Sequence, residues 1–265
     1  MTYLQALLLA LLQGVTEWLP VSSSAHLILV PRLLGWADQG LGFDVAVHVG
    51  SLVAVLVYFR IQIAAMARDW ARSLMTRRLA GEARLAWAVL LATIPVGLAG
   101  LAFKDVVETT LRDPHVLAWA LIGFGIVLWA ADRWGHRIRS ERQLTWRDTA
   151  VIGLAQALAL IPGTSRSGIT ITAGLARGWS REAASRFAFL LGIPVIVLAG
   201  GLDAVEAASG QHAAQPLSVL AVGFVASAVS AYLCIRLFLG WIARLGMGPF
   251  VIYRIALGGL LLLLF

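Results

Sequence analysis

The chain has 265 residues, of which 60% are hydrophobic and 13% are charged, and its mean hydropathy is +0.84. This composition excludes an ordinary soluble domain and is typical of a polytopic membrane protein. The net charge of +7 does not indicate nucleic-acid binding, because the arginines cluster in short loops between apolar runs. The single cysteine, Cys234, excludes a disulfide within the chain.

Two segments of the chain are apolar but interrupted by polar residues and a proline. Segment 2–33 contains TEWLPVSSSAH, which we call the first break, and segment 149–177 contains PGTSRSG, the second break. Neither half of either segment is long enough to span a bilayer, which takes roughly 20 apolar residues. Because broken backbone in lipid must be buried in protein or line a wet cavity, we predict that both segments are re-entrant helical hairpins.

Six further apolar runs are long enough to span the membrane, and three of them follow each interrupted segment. The predicted fold class is therefore an all-α integral membrane protein with six transmembrane helices and two re-entrant hairpins. The six runs cover residues 43–59, 85–103, 116–131, 183–201, 216–239 and 249–265.

Loop charge predicts the orientation of these spans, because arginine-rich loops stay in the cytoplasm. The loops placed inside are 60–84, 132–147 and 240–248, and the loops placed outside are 104–115 and 202–215. The last inside loop owes its placement to Arg244 and to the flanking Arg236 and Arg254. Both termini are then external.

The two interrupted segments also resemble each other. Each has a glutamine, Gln13 or Gln156, followed six or seven residues later by a proline and then by a Ser/Thr cluster. Since three spans follow each segment, the second copy is inverted relative to the first. We predict a single membrane domain with an inverted repeat, residues 1–135 and 145–265, in which the broken helices meet near the midplane.

Arg166 lies in the second break, where an ionisable side chain is costly unless it meets an anion. Its planar guanidinium suits phosphate, and neighbouring hydroxyls and the N–H groups of a helix start add donors. We predict an oxyanion cradle for phosphate, with Arg166 as a catalytic residue. The alternative is an arginine that pairs with Glu17 only to join the two repeats. The other phosphate-binding residues predicted here are Gly163, Ser165, Ser167 and Thr170.

The first break offers complementary groups. Gln13 and Glu17 share a helix face and are candidate ligands of a divalent cation, and Glu17 is also a candidate base. Ser23 is a candidate nucleophile, and His26 is a candidate acid, base or nucleophile. The alternative roles are a helix N-cap for the serines and helix packing for His26. The further predicted phosphate-binding residues are Ser22 and Ser24.

Other residues are weaker candidates. Asp44 and His48 lie four residues apart at the outer end of the first full span, where they line the site or form a structural hydrogen bond. Glu182 and Arg186 are predicted to form an ion pair at a cytoplasmic span end. Tryptophans at span ends, Trp179 among them, are expected in interfacial belts.

The chain contains two stretches, QGVTEWLPVSSSAHL and PGTSRSG. They resemble the signature motifs of the undecaprenyl-diphosphate phosphatase family of bacterial inner membranes, which is linked to bacitracin resistance. Two more are similar to further stretches of that family, FDVAVHVGSLVAV and SREAASRFAFLLGIP, so the resemblance covers nearly the whole chain. The first acidic position of the family's first motif takes Glu or Gln, and Gln13 fits that pattern.

The resemblance implies a multi-pass hydrolase of the inner membrane whose site faces the periplasm. It would convert undecaprenyl diphosphate to undecaprenyl phosphate and inorganic phosphate, which recycles the lipid carrier for peptidoglycan synthesis and confers bacitracin resistance. The implied partners are the polyprenyl diphosphate and the bilayer, the implied cofactor is Mg²⁺ or Ca²⁺, and a homodimer is left open. Carried over by position, the functional residues are Gln13, Glu17, Ser23, His26, Ser165, Arg166 and Thr170.

We therefore predict phosphoanhydride hydrolysis at a membrane-embedded site. Arg166 would hold the phosphates and stabilise transition-state charge, Glu17 would orient the diphosphate, and His26 or Ser23 would attack or activate the attacking group. The sequence does not choose between a covalent intermediate and direct attack by water. The alternative function is a transporter or flippase for an anionic polyprenyl phosphate lipid, since inverted broken helices support both. A translocator would need the cradle but no nucleophile and base beside it.

Overall fold

The computed structural model describes residues 1–103, 106, 111, 113–208 and 215–265, with the backbone alone for 203–208. Within the predicted outside loops 104–115 and 202–215, residues 104–105, 107–110, 112 and 209–214 lie outside the described residues, and 202–208 belong to a helix. The described chain is helical, with short 3₁₀ turns at Glu141–Gln143 and Leu158–Leu160. Its α-helices are α1 (Tyr3–Trp18), α2 (Ser23–Leu34), α3 (Leu41–Tyr58), α4 (Arg60–Thr76), α5 (Ala83–Ala102), α6 (Pro114–Trp134), α7 (Trp146–Ala157), α8 (Arg166–Ala176), α9 (Arg181–Ala208), α10 (Leu217–Leu245) and α11 (Gly248–Leu264).

Among the described helices, 5 are long and apolar enough to cross a membrane, namely α3, α5, α6, α9 as far as Leu202, and α10. They match all but the last of the predicted runs and confirm the class, an all-helical membrane protein. The last run forms α11, which has 17 residues and is one of the shorter apolar helices. Large apolar side chains cover the outer helix faces; Leu98 is 64% exposed and Trp119 is 63% exposed.

The arginine-rich connection 60–84, predicted to be a loop, contains the amphipathic helix α4. Ile63, Met66, Trp70 and Ser73 recur at helical spacing, and their side chains face α5. The indole Nε1 of Trp87 on α5 donates to Ser73 Oγ at 3.0 Å. Loop charge concealed this helix because arginines fill its other face.

Two predictions about side chains near this end of the molecule are wrong. Arg186 does not pair with Glu182; its Nε donates to Glu141 Oε1 at 3.0 Å instead. Trp179 is not in an interfacial belt, because it is fully buried with its ring 5.3 Å from that of Phe187. The partner of Arg186 lies 45 residues away, which local spacing does not reveal.

Each interrupted segment forms two helices, α1 with α2 and α7 with α8, as predicted. Both segments begin with the same device, a capping box that satisfies free N–H groups at a helix start. Thr2 Oγ1 accepts from Gln5 N at 3.2 Å, and Thr145 Oγ1 accepts from Asp148 N at 3.3 Å. The same number of residues separates Thr2 from Thr145, Gln13 from Gln156 and Ser22 from Ser165.

Helices α1 and α3 approach α10 closely, and the two breaks meet beside them. A Cβ at Gly14 would lie 2.6 Å from Ser227 O on α10, so only glycine fits there. The breaks themselves are joined by a hydrogen bond of 2.9 Å from Ser167 Oγ to Leu19 O. The packing therefore brings the starts of α2 and α8 into one region.

Candidate active site

The last residue before the helix in each break is a serine with a left-handed backbone conformation. φ is 74° at Ser22 and 69° at Ser165, and α2 and α8 begin at the next residue. The hydroxyls of Ser22 and Ser24 lie 3.1 Å apart, and those of Ser165 and Ser167 lie 3.2 Å apart. A non-glycine residue in this region costs about 1–3 kcal/mol, so surrounding packing must hold both serines. The two breaks thus share one backbone design.

An ion pair joins the two breaks. Arg166 Nη2 lies 3.0 Å from Glu17 Oε1, and only 10% and 8% of the two side chains are exposed. Ser23 Oγ donates to Glu17 Oε2 at 2.7 Å, and His48 Nε2 lies 3.6 Å from the same oxygen. The Glu17 carboxylate is therefore shared by a guanidinium, a hydroxyl and an imidazole.

The guanidinium of Arg166 is fixed on its other sides as well. Nη1 donates to Ala188 O at 2.9 Å, and Cζ lies 5.2 Å from the ring centroid of Trp18. A Cβ at Gly192 would collide with the guanidinium, so glycine leaves the space that the arginine occupies. Arg166 is preorganised rather than free to swing.

A cavity of about 260 Å³ opens at this ion pair. One part of its wall is polar and the other, from α9 and neighbouring residues, is apolar or small. The polar wall contains Glu17, Ser22, Ser23, Ser24, His48, Ser165 and Arg166. The other wall contains Val45, Ala159, Val195, Ile196, Ala199 and Gly200. The cavity therefore suits a ligand with a charged head and an apolar tail.

His26, a predicted catalytic residue, lies beside this cavity and does not line it. It is 3% exposed, its Nδ1 lies 2.7 Å from Ser22 O, and its Nε2 lies 2.6 Å from the hydroxyl of Tyr253. His48, the weaker candidate, occupies the wall instead, and its Nδ1 lies 2.7 Å from Asp44 O. The imidazole that faces Glu17 is therefore that of His48.

Three residues predicted to bind phosphate make other contacts. The Ser167 hydroxyl donates to Leu19 O, and the Thr170 hydroxyl donates to Arg166 O at 2.8 Å within its own helix. Gly163 has a φ of 92°, and a Cβ there would lie 2.5 Å from Leu117 O on α6. The structure brings Ser22, Ser24 and Ser165 to the cavity but not these three.

Of the two predicted metal ligands, Glu17 lines the cavity and Gln13 does not. Gln13 is fully buried, and its Oε1 accepts from Ser227 Oγ at 2.8 Å, whereas Glu17 lines the cavity. Within the described ranges, no three His, Cys, Asp or Glu side chains form a cluster that could hold a metal ion. A divalent cation would find one protein carboxylate here, that of Glu17, and would take its other ligands from phosphate and water, as Mg²⁺ usually does.

Arg254 does not lie at the cytoplasmic flank of the link 240–248, where loop charge predicts it. Arg254 is fully buried and donates to carbonyls of both breaks. It lies inside the run predicted to span 249–265. The rule that identified Arg166, that an ionisable group inside a span is functional by default, would have identified Arg254 too.

The chain is similar to known proteins along its whole length. A family model described as bacitracin resistance protein BacA matches residues 6–260. An undecaprenyl-diphosphatase 2 of Stutzerimonas stutzeri is 56% identical over 100% of this chain and 99% of its own. An undecaprenyl-diphosphatase of Nitrosococcus oceani is 56% identical over 100% of both chains. One of Campylobacter concisus is 53% identical over 98% of this chain and 97% of its own.

Proposed function

This chain belongs to the bacitracin resistance protein family BacA, and we propose that it hydrolyses undecaprenyl diphosphate to undecaprenyl phosphate and inorganic phosphate. The activity recycles the lipid carrier of peptidoglycan synthesis and so opposes bacitracin. One structural observation carries the proposal: Glu17 and Ser23 of the first break face Arg166 of the second break across one cavity.

The diphosphate binds at the polar wall of the cavity. Arg166 supplies a preorganised cation, and Ser165 and Ser22 stand at the N-termini of α8 and α2, where free N–H groups and the positive helix end favour anions. These groups are fixed before substrate arrives, which is the arrangement that stabilises charge developing in a transition state. The apolar wall on α9 accepts the first part of the polyprenyl chain.

Ser23 attacks the terminal phosphorus, and Glu17 takes its proton. The 2.7 Å hydrogen bond between them is the geometry expected of a nucleophile and its base. A Ser23 O–P bond forms as the anhydride P–O bond breaks, and undecaprenyl phosphate leaves. Water then cleaves the phosphoserine and releases inorganic phosphate. Arg166 stabilises the transferring phosphoryl group in both steps.

The proposal includes Mg²⁺ or Ca²⁺ as cofactor, held by Glu17 together with phosphate oxygens. When bound, the cation neutralises charge on the diphosphate. Gln13 is not needed for this, because it is engaged with Ser227 on α10.

We further propose how the protein sits in the inner membrane. With α11 as the sixth span, at the lower end of the usual length range, and with two re-entrant hairpins, units 1–135 and 145–265 form an inverted repeat. The cavity residues Val45 and Gly200 lie at the ends of α3 and α9 that are remote from the arginine-rich connections. With those connections in the cytoplasm, the cavity faces the periplasm.

The direct test is phosphate release from undecaprenyl diphosphate by the purified protein in detergent. Wild type should turn over, and Glu17→Gln and Ser23→Ala should each lose at least about 100-fold in kcat. The matched controls are Glu182→Gln and Ser185→Ala on α9, which remove a carboxylate and a buried hydroxyl away from the cavity. Both should stay within about twofold of wild type.

Two results would contradict the proposal. A folded wild type that binds the lipid without releasing phosphate would favour the translocator, which needs no nucleophile beside the cradle. Full activity of Ser23→Ala would remove the covalent step and leave attack by water.

A parallel assay with EDTA tests the cation, and unchanged release of phosphate after complete chelation would exclude a role for it.

A further inference from the structure

Arg254 is a buried cation whose hydrogen bonds, among the described residues, all go to backbone carbonyls. Its side chain has no exposed surface. Nη1 donates to Thr164 O at 2.8 Å and Pro20 O at 3.2 Å, and Nη2 donates to Gly163 O at 3.0 Å. Simultaneous hydrogen bonds to these carbonyls require the planar guanidinium of arginine with its several N–H donors, which lysine lacks.

The same guanidinium also contacts α6. Nε donates to Leu121 O at 3.1 Å, and Nη2 donates to Ala120 O at 3.3 Å. The carbonyls of the breaks lie where the chain is not helical, so they would otherwise lack donors in a setting with no bulk water. One side chain from the last helix therefore fixes both breaks to a common support.

The carbonyls that Arg254 binds are next to the reacting groups. Thr164 immediately precedes Ser165, whose left-handed backbone aims Arg166 at the cavity, and Pro20 lies two residues before Ser22 and three before Ser23. We propose that Arg254 is a positioning residue for hydrolysis, holding the breaks in the register that places Ser23 opposite Arg166. This inference rests on the proposed function.

Substitution of a positioning residue lowers kcat per folded molecule, whereas substitution of a merely structural residue lowers only the folded fraction. Arg254 does not touch the cavity, so Arg254→Lys should leave KM within about threefold, while kcat falls on the order of 100-fold because small misplacements of reacting groups are costly. Arg181→Lys is the matched control, since Arg181 is a partly buried arginine paired with Asp132 away from the breaks. Its kcat per folded molecule should equal that of wild type.

A second variant tests the same contact without removing the arginine. A Cβ at Gly168 would lie 3.0 Å from Arg254 Nη1 and 3.1 Å from Ser165 Cβ, so Gly168→Ala pushes both the guanidinium and Ser165 by a few tenths of an ångström while favouring helix α8. We expect kcat to fall on the order of 10-fold with an unchanged unfolding temperature. The matched control is Gly123→Ala on α6, where a Cβ meets nothing within 4 Å.

The outcomes separate this inference from the function on which it rests. If wild type releases no phosphate, the proposed function fails first. If wild type turns over and folded Arg254→Lys keeps kcat within twofold, or loses it only in proportion to the folded fraction, the positioning role is overturned. If Arg254→Lys does not fold, Gly168→Ala decides, and a wild-type kcat in that variant overturns the inference.

Discussion

The two breaks have the same backbone but carry different chemistry. Ser22 and Ser165 occupy equivalent left-handed N-cap positions, and each is followed two residues later by a serine whose hydroxyl lies close. The residue after the N-cap differs, being Ser23 in the first break and Arg166 in the second. The same backbone is thus built twice, while the proposed nucleophile and the cation are each present once, so the proposed site needs both breaks.

The largest expected effect comes from altering the cation of the second break. Arg166→Lys keeps the charge but cannot contact Glu17, Ala188 O and a phosphate together. We expect kcat/KM to fall about 10³-fold, measured by phosphate release in detergent. Arg181→Lys serves as the control for an arginine outside the breaks. Activity within tenfold of wild type would mean that a point charge suffices and that the guanidinium geometry is irrelevant.

The N-termini of α1 and α7 also differ, although both have a capping box. Asp148 completes the capping box of α7 as Gln5 does in α1, but it is also fully buried and bonded to Arg139 and Arg177 at 2.7 Å each. We expect Asp148→Asn to lower the free energy of unfolding by about 2 kcal/mol, less than for a fully buried pair because the arginines are partly exposed. Gln5→Ala should lower it by about 0.5 kcal/mol.

The contribution of the Asp148 carboxylate to the free energy of unfolding depends on pH. Burial alone would raise its pKa, but hydrogen bonds from Arg139 and Arg177 outweigh this and hold the pKa well below its usual range. Its stabilisation is therefore fully present above about pH 4 and is lost as the pH falls further. Thermal unfolding should show a constant gap between wild type and Asp148→Asn from about pH 5 to 8 that narrows below about pH 4. A gap that widens in acid would contradict this sign.

Ser24 and Ser167 occupy equivalent positions but should respond differently to alanine. Ser24 lines the cavity, whereas the Ser167 hydroxyl donates to Leu19 O and joins the breaks. We expect Ser24→Ala to raise KM about fivefold with little change in unfolding temperature, and Ser167→Ala to lower the free energy of unfolding by about 1 kcal/mol. Kinetics and thermal unfolding of both variants test this, and identical responses would refute the difference.

The smallest effect is expected at Thr164. Its hydroxyl is buried and has no hydrogen-bond partner among the described residues, while its carbonyl is bound by Arg254. Thr164→Val keeps the shape and the carbonyl, so activity should stay within about twofold and stability should be unchanged or slightly higher. A large loss of activity would show that the hydroxyl acts on the substrate.

Local features of the sequence predicted the frame of this molecule well. A proline within a hydroxyl-rich stretch identified both breaks, and apolar length identified the helices long enough to span. The pairing of Glu17 with Arg166 was also foreseen, as one of two roles for the arginine. These features depend on neighbours in sequence or on charge, which a single chain displays.

Contacts between distant helices could not be read in the same way. Gln13, a predicted cation ligand, accepts a hydrogen bond from Ser227 on α10, and His26, a predicted catalytic acid, base or nucleophile, contacts Tyr253 on α11. Helix periodicity gives the face of a residue but not the helix that covers that face. Arg254 was missed for another reason, since counting it as loop charge concealed its place inside the apolar helix α11.

The central claim is that the two breaks form one catalytic unit, and a double-mutant cycle on phosphate release tests it most directly. Glu17→Gln, Arg166→Gln and the double variant are compared with wild type, with folding checked by thermal unfolding. We predict that the double variant is about as slow as the slower single variant, because each change already disables the shared site. If the two losses multiply, the breaks act independently and the claim is contradicted.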